Sequence, residues 1–288
     1  MLKGIIAAAL SAICYGTLVI FGKIGMTLEL TSVRMLTLRF IFAAILLFLF
    51  FGIKDIRQLR PTKTMLAKCA FLGIFFYLGQ SLMFFRSIEY IPASTASLIL
   101  YFYPLVVLII SVIFLKEKFR MSSLFSVLLI LGGCSLVFFD AFQRSFDIRG
   151  IMFAGLSVIL FSTYLIVAQI ILKNENSTTA TFYVTLFTAI GYTVLNGGTG
   201  LAGITQQQLA LCVALGLIPS ALAMWLLYAG LKIIGAAYTS IFSSIEPVMT
   251  LILAGIFLGE EIVAFQIFGV ILLIAGIIVP NLRLYKKY

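Results

Sequence analysis

The chain has 288 residues, 62% of them hydrophobic and only 10% charged, with a mean hydropathy of +1.19 and a formal net charge of +10. A soluble domain carries roughly a quarter of its residues as charged groups, so that class is excluded. The absence of histidine removes Ser-His triads, the usual zinc sites and a histidine proton relay.

Apolar stretches near the roughly 20 residues a bilayer core demands predict ten helices, over 4–24, 33–52, 66–86, 93–115, 122–139, 150–172, 180–198, 208–231, 236–258 and 264–283. The fold class is all-α integral membrane. The first stretch resembles a signal peptide, with Lys3 ahead of small residues Ala7 to Ala9. Its length and its repeat partner at 150–172 argue that it is retained. Ser11, Tyr15 and Gly22 share one stripe of this helix, with Gly16 and Lys23 on an adjoining one. Lys23 is either a snorkelling end-of-helix residue or a cationic contact near the mouth of a pathway. Arg39, early in the second helix, carries the same two readings. The third helix holds Gln80, polar with no interfacial reason, and ends on a local Arg86–Glu89 pair.

Tyr101 and Tyr103 precede Pro104 in the middle of the fourth helix, and Tyr164, Trp225 and Tyr228 lie in the sixth and eighth. Aromatics at such depth suit an organic solute better than an ion filter. In the ninth helix Glu246 falls near mid-bilayer, beside Pro247. An ionisable group there is costly, which makes it a candidate for substrate contact or proton binding, against a scaffold role. Most acids lie outside the spans: Asp55, Asp140, Asp147, Glu175, Glu260 and Glu261 fall in loops or at helix ends. The two mid-span prolines each remove a backbone donor, freeing carbonyls at Leu100 and Ser243. Paired interruptions in two halves of a chain point to a transporter's central site or hinge. Ala93 with Ser97, and Ala236 with Ser240, read as close-packing stripes. The cysteines (Cys14, Cys69, Cys134, Cys212) lie one to a helix and read as packing. Asn176-Ser177-Thr178 fits a glycosylation sequon, on the side assigned to the cytoplasm.

The chain is built twice. A slide of 146 sets Gly4 on Gly150, Ser11 on Ser157 and Thr17 on Thr163. A slide of 143 sets Ser97 on Ser240, Pro104 on Pro247, Glu117 on Glu260 and Gly133 on Gly276. The repeats are placed at 1–139 and 150–288, five helices each, in one membrane body. Glu246 pairs with Tyr103, and Lys23 with Gln169. Loop charges follow parity. Lys3, Lys54, Arg57, Arg60, Lys63, Lys68, Lys116, Lys118, Arg120, Lys173, Lys232, Arg283, Lys286 and Lys287 share one side. Only Lys23, Arg34, Arg39, Arg86, Arg144 and Arg149 share the other. The positive-inside rule then puts both termini in the cytoplasm. An odd helix count inverts the second repeat relative to the first. Charge spread in this way forms no nucleic-acid surface.

Several of these residues also carry a family resemblance. Tyr15-Gly16, Lys23 and Leu38-Arg39-Phe40 resemble the opening of drug/metabolite transporters of the EamA type, where a Trp-Gly pair, a Lys and an Arg-Phe recur. Ala93 to Ser97, Pro104, and Phe114 to Glu117 are similar to that family's repeat ending, and Glu246-Pro247 through Phe257-Leu258-Gly259-Glu260 repeats it. The resemblance implies ten helices in inverted five-helix repeats around a cavity lined by helices one, three, four, six, eight and nine. It also implies carriage of amino acids, other metabolites or drugs. Tyr15 departs from the family's tryptophan.

The sequence thus predicts a secondary transporter of the plasma (inner) membrane that moves a small organic solute, an amino acid or similar metabolite, by alternating access, with export favoured. No nucleotide-binding loop is present to make ATP the driver. Two alternatives stand: an exchanger or importer of a nucleotide-like or cofactor-like metabolite, and, outside transport, a lipid scramblase-like or assembly protein. No paired acids or metal-binding motif supports an enzyme, and no cofactor or metal is expected. The expected partners are the lipid bilayer, the solute, and a coupling proton or counter-substrate, for a monomer or homodimer. The candidate substrate contacts are Tyr15, Gln80, Tyr101, Tyr103, Tyr164, Trp225, Tyr228, Ser243 and Glu246. Lys23, Arg39, Pro104 and Pro247 are candidates for gating or charge contact.

Overall fold

The computed structural model describes residues 1–139, 147–259 and 262–278. Asp140, Arg144, Glu260, Glu261, Arg283, Lys286 and Lys287 lie outside the described residues. The described chain folds into ten helices and no strand. They are α1 (Leu2–Thr27), α2 (Ser32–Asp55), α3 (Lys63–Ile88), α4 (Ala93–Leu100 and Tyr103–Phe114), α5 (Met121–Val137), α6 (Ile148–Leu172), α7 (Ser177–Leu195), α8 (206–234), α9 (236–258) and α10 (Ala264–Ile278).

Local chemistry sets several of these ends. Thr31, Thr62, Asp147, Asn176 and Thr205 each accept a bond from a backbone N–H two or three residues on, capping α2, α3, α6, α7 and α8. The side chain of Asn176, in the sequon, is therefore engaged as a cap. Between α8 and α9 there is no loop. Gly235 alone turns the chain, at φ 77° and ψ 170°, a conformation a side chain resists. The Arg86–Glu89 pair forms at 2.9 Å. The outside of the bundle is apolar, with Phe125, Ile159, Ile190, Ile256 and Phe268 among its exposed side chains. Such a surface suits hydrocarbon, and only helices or closed barrels satisfy their own backbone there.

The two repeats interlock, each helix packing on one from the other half. α1 runs along α8 and α6 along α3, while α2 packs on α7 and α5 on α10. The sequence slides become contacts. A side chain at Gly4 would strike Ile233 and Ile234, and one at Gly150 would strike Tyr90 and Ile91. The Ser11 hydroxyl donates to the Ala223 carbonyl at 2.8 Å, and Ser157 donates to that of Gln80 at 3.2 Å. Gly73 lies against Val184 and Thr188, and Gly216 lies against Arg39 and Ala43. The registers of α3 with α8 and of α2 with α7 are thereby set, pairing Arg39 with Val184.

The α5–α10 seam is backbone on backbone. A methyl at Gly133 would sit 2.7 Å from the Gly269 carbonyl oxygen, and Ser126 donates to the Gly276 carbonyl. Gly133→Ala should therefore cost about 1–3 kcal/mol of overpacking, read as a lower melting temperature in detergent. Gly132→Ala, whose methyl would meet nothing within 4 Å, should leave it unchanged.

Candidate functional site

α4 and α9 are both broken in mid-course. In α4 the bonds tighten to Phe102 N–Ile99 O and Leu105 N–Phe102 O, each 3.1 Å. In α9 the equivalent pairs are Ile245 N–Phe242 O at 3.5 Å and Val248 N–Ile245 O at 3.1 Å. Pro104 and Pro247 take the second position of the new half-helix, where a missing N–H leaves nothing unsatisfied. The prolines thus begin second half-helices, within spans that the sequence delimits as single helices interrupted at these points. Tyr103 and Glu246 hold the first positions, so the positive end of a half-helix backs the Glu246 carboxyl. Gly16 brings α1 close to this point. A methyl there would meet Met249 at 2.8 Å and the Glu246 carbonyl at 3.2 Å, and Thr250 donates to the Gly16 carbonyl.

Around the two breaks lies a cavity. Its walls are Tyr15, Leu18 and Val19 of α1, Arg39 of α2, and Tyr77, Gln80, Ser81, Phe84 and Phe85 of α3. Ser97, Leu100, Tyr101 and Tyr103 of α4, Phe161 of α6 and Glu246 of α9 complete them. Most of these belong to the half of the bundle away from Met1, hereafter the far half. The space open to a water-sized sphere is ≈ 80 Å³, tighter than the roughly 300–1,000 Å³ of small-molecule sites. A solute of that size would need the cavity to widen.

Tyr15 and Tyr77 pair their hydroxyls at 3.3 Å, Gln80 donates to Ser157 at 3.2 Å, and Ser81 pairs with the Tyr192 hydroxyl at 2.7 Å. The Glu246 carboxyl approaches the Tyr101 hydroxyl. Arg39 is 3% exposed. Its Nε donates to Ser220 Oγ at 2.6 Å and its Nη2 to the Pro219 carbonyl at 3.0 Å. Pro219 lies in a wide π-type turn, Leu217–Leu222, and cannot bond the Leu215 carbonyl; Ser220 Oγ does so instead, at 2.8 Å. Arg39 thus ties α2 to the irregular turn of α8 while its side chain borders the cavity. Phe71–Tyr77 of α3 has the same wide turn, a feature often found beside functional sites.

Of the candidates read from sequence, Tyr15, Arg39, Gln80, Tyr101, Tyr103 and Glu246 share this cavity, and Pro104 and Pro247 shape it. The others lie elsewhere. Tyr164 and Tyr228 are fully buried, joined by a 2.8 Å hydrogen bond, with Tyr164 stacked on Tyr77. Ser243 is buried on the near side of the α9 break, its hydroxyl without a close hydrogen-bond partner and approaching that of Tyr103. Trp225 points to α2 and packs on Phe50 and Phe51. Lys23 is exposed. Helix eight, expected in the wall, is replaced there by α2 through Arg39. Ser97, read as a packing residue, lines the cavity. Tyr77, Ser81, Phe84 and Phe85 were missed, although Tyr77 and Phe84 stand three and four from Gln80 and Tyr77, Ser81 and Phe85 follow one another at four, which marks one face of α3.

The comparisons agree with this architecture. A solved crystal structure superposes at TM-score 0.84 over 99% of this chain and 98% of that one, with 16% identity, which shows a shared fold. An "uncharacterized transporter" of Clostridium kluyveri is 24% identical over 97% of this chain and 93% of its own. Another, from Archaeoglobus fulgidus, is 25% identical over 97% and 96%. The sequence profile of the EamA-like transporter family matches residues 2–139 and 148–282. The chain therefore belongs to the EamA-like transporter family, a multi-pass membrane protein that moves a small solute.

Proposed function

We propose that the transported solute is a zwitterionic metabolite of amino-acid type, carried by secondary alternating access. The observation that carries this reading is the pairing of one guanidinium, Arg39, with one carboxyl, Glu246, as the charged groups of a cavity otherwise walled by aromatic and hydroxyl side chains. A free amino acid offers a carboxylate to the first and an ammonium to the second, and its side chain meets Phe84, Phe161 and Leu100. A nucleotide-like ligand would bring several negative charges to a single cation. The loop-charge asymmetry supports cytoplasmic termini, in our reading in a plasma membrane, and export is the direction this reading favours.

The test is uptake into proteoliposomes of a labelled panel of amino acids, cationic drugs and phosphorylated metabolites, with and without a pH gradient. Saturable uptake of zwitterionic amino acids is expected. Transport confined to the phosphorylated or the purely cationic compounds would overturn the substrate class.

A further inference from the structure

The repeat register relates every wall of the far cavity to a position in the opposite half. Ser97, Leu100 and Tyr101 correspond to Ser240, Ser243 and Ser244, each 143 residues on. Leu18 and Phe85 correspond to Tyr164 and Tyr228. The far-half residues line the cavity although Ser97, Phe85 and Tyr101 are themselves only 4–6% exposed, whereas Ser240, Ser243, Ser244, Tyr164 and Tyr228, equally buried, do not line it. The seal over them is made by the Tyr164–Tyr228 hydrogen bond and by Tyr103, whose hydroxyl donates to the Ser240 carbonyl at 3.3 Å.

Two further features mark this region. Of four buried hydroxyls without a close hydrogen-bond partner among the described residues, two, Thr239 and Ser243, stand one turn apart on α9, an arrangement that folded proteins avoid, and that of Ser243 approaches only the Tyr103 hydroxyl. Beyond the seal, on the face of Met1, lies a recess of ≈ 290 Å³ bordered by Glu117, Arg120, Tyr238 and Ile241, and Ile241 adjoins Ser240. A second set of bonds bars the recess. Gln169 accepts from the Ala236 backbone at 2.6 Å, next to the Gly235 turn, and donates to Glu117 at 3.3 Å; Arg120 donates to Tyr238 at 3.1 Å.

Building on the transport reading above, we propose that Ser240, Ser243 and Ser244, with Tyr164 and Tyr228, form the wall of a second cavity that opens to the Met1 face as the far cavity closes. Glu246 and Tyr103, which are each other's counterparts, serve both cavities. The ligand's ammonium keeps Glu246 throughout. Its carboxylate passes from Arg39, whose counterpart is the apolar Val184, to serine hydroxyl donors.

The test is cysteine labelling in a background with Cys14, Cys69, Cys134 and Cys212 changed to Ala, using a membrane-impermeant thiol reagent on either face of oriented vesicles. Ser97→Cys should react from the far face only, and Ser243→Cys from the Met1 face only. Adding Gln169→Ala, which releases the α8–α9 turn, should speed labelling of Ser243→Cys and slow that of Ser97→Cys by severalfold each. General loosening would speed both. Ser240→Cys serves as a second probe if Ser243→Cys does not give a monodisperse protein. A probe that is inert from both faces, or reactive from the far face, overturns the proposal. The substrate reading fails separately, in the uptake panel, whatever the labelling pattern.

Discussion

Glu246→Gln should slow transport by about 10- to 100-fold while the protein still inserts, purifies as a single species and melts within a degree or two of the parent. The variant keeps the shape and one acceptor of the side chain but cannot ionise. A hydrogen bond to a charged group contributes about 1.5–3 kcal/mol, and each ~1.4 kcal/mol is a factor of ten. The position gives reasons to expect the upper part of that range. Glu246 begins a half-helix, borders the cavity with Tyr101, Tyr103 and Arg39, and forms no salt bridge among the described residues. Its charge is therefore available to a ligand or a proton. Initial rates in proteoliposomes across a pH series would decide the matter. Full activity with an unchanged pH profile would return Glu246 to the scaffold.

Arg39→Ala should damage both stability and transport. The guanidinium is buried, its Nε and Nη2 are committed to Ser220 and to the Pro219 carbonyl, and its carbon stem lies inside the α2–α8 contact. Truncation leaves the wide turn of α8 short of two donors and removes packing, at a cost on the order of 2–4 kcal/mol. A fall in melting temperature in detergent would show it. Arg39→Lys separates the two roles. A lysine keeps the charge at the cavity but lacks the planar fork that reaches Ser220 and Pro219 together. It should regain part of the transport while staying less stable than the parent. A lysine variant as stable as the parent would show that the fork does not hold the turn.

Much of this was legible in the residues. The ten helices were visible because hydrocarbon thickness sets a length and a hydropathy that no tertiary contact needs to supply. The repeat was visible because Gly4, Gly150, Ser11 and Ser157 are needed at helix crossings, where substitution would separate backbones. Glu246 stood out as a charge near mid-bilayer, while Arg39 read either as a snorkelling residue or as a cationic contact. Which face of a helix turns inward was harder to read, since an apolar helix in lipid shows little contrast between its sides. That is why Trp225 read as a cavity residue and Tyr77 did not. Tyr164, Tyr228 and Ser243 raise a different difficulty. Sequence marks a position by its chemistry and not by the state in which it is used, and in this state they are packed shut.

The interlocking of the repeats bears on how such a protein comes into being. Neighbours in space are strangers in the chain: α1 rests on α8, α3 on α6 and α5 on α10. When the first five helices have left the ribosome, their glycine grooves and the Ser11 hydroxyl have no lasting partner, and the half that supplies them is still unwritten. The first half must wait in the bilayer, able to stand alone as separate helices but not as a body. Assembly is then set by completion of the chain, and a cell that truncates the message inherits loose helices instead of half a transporter.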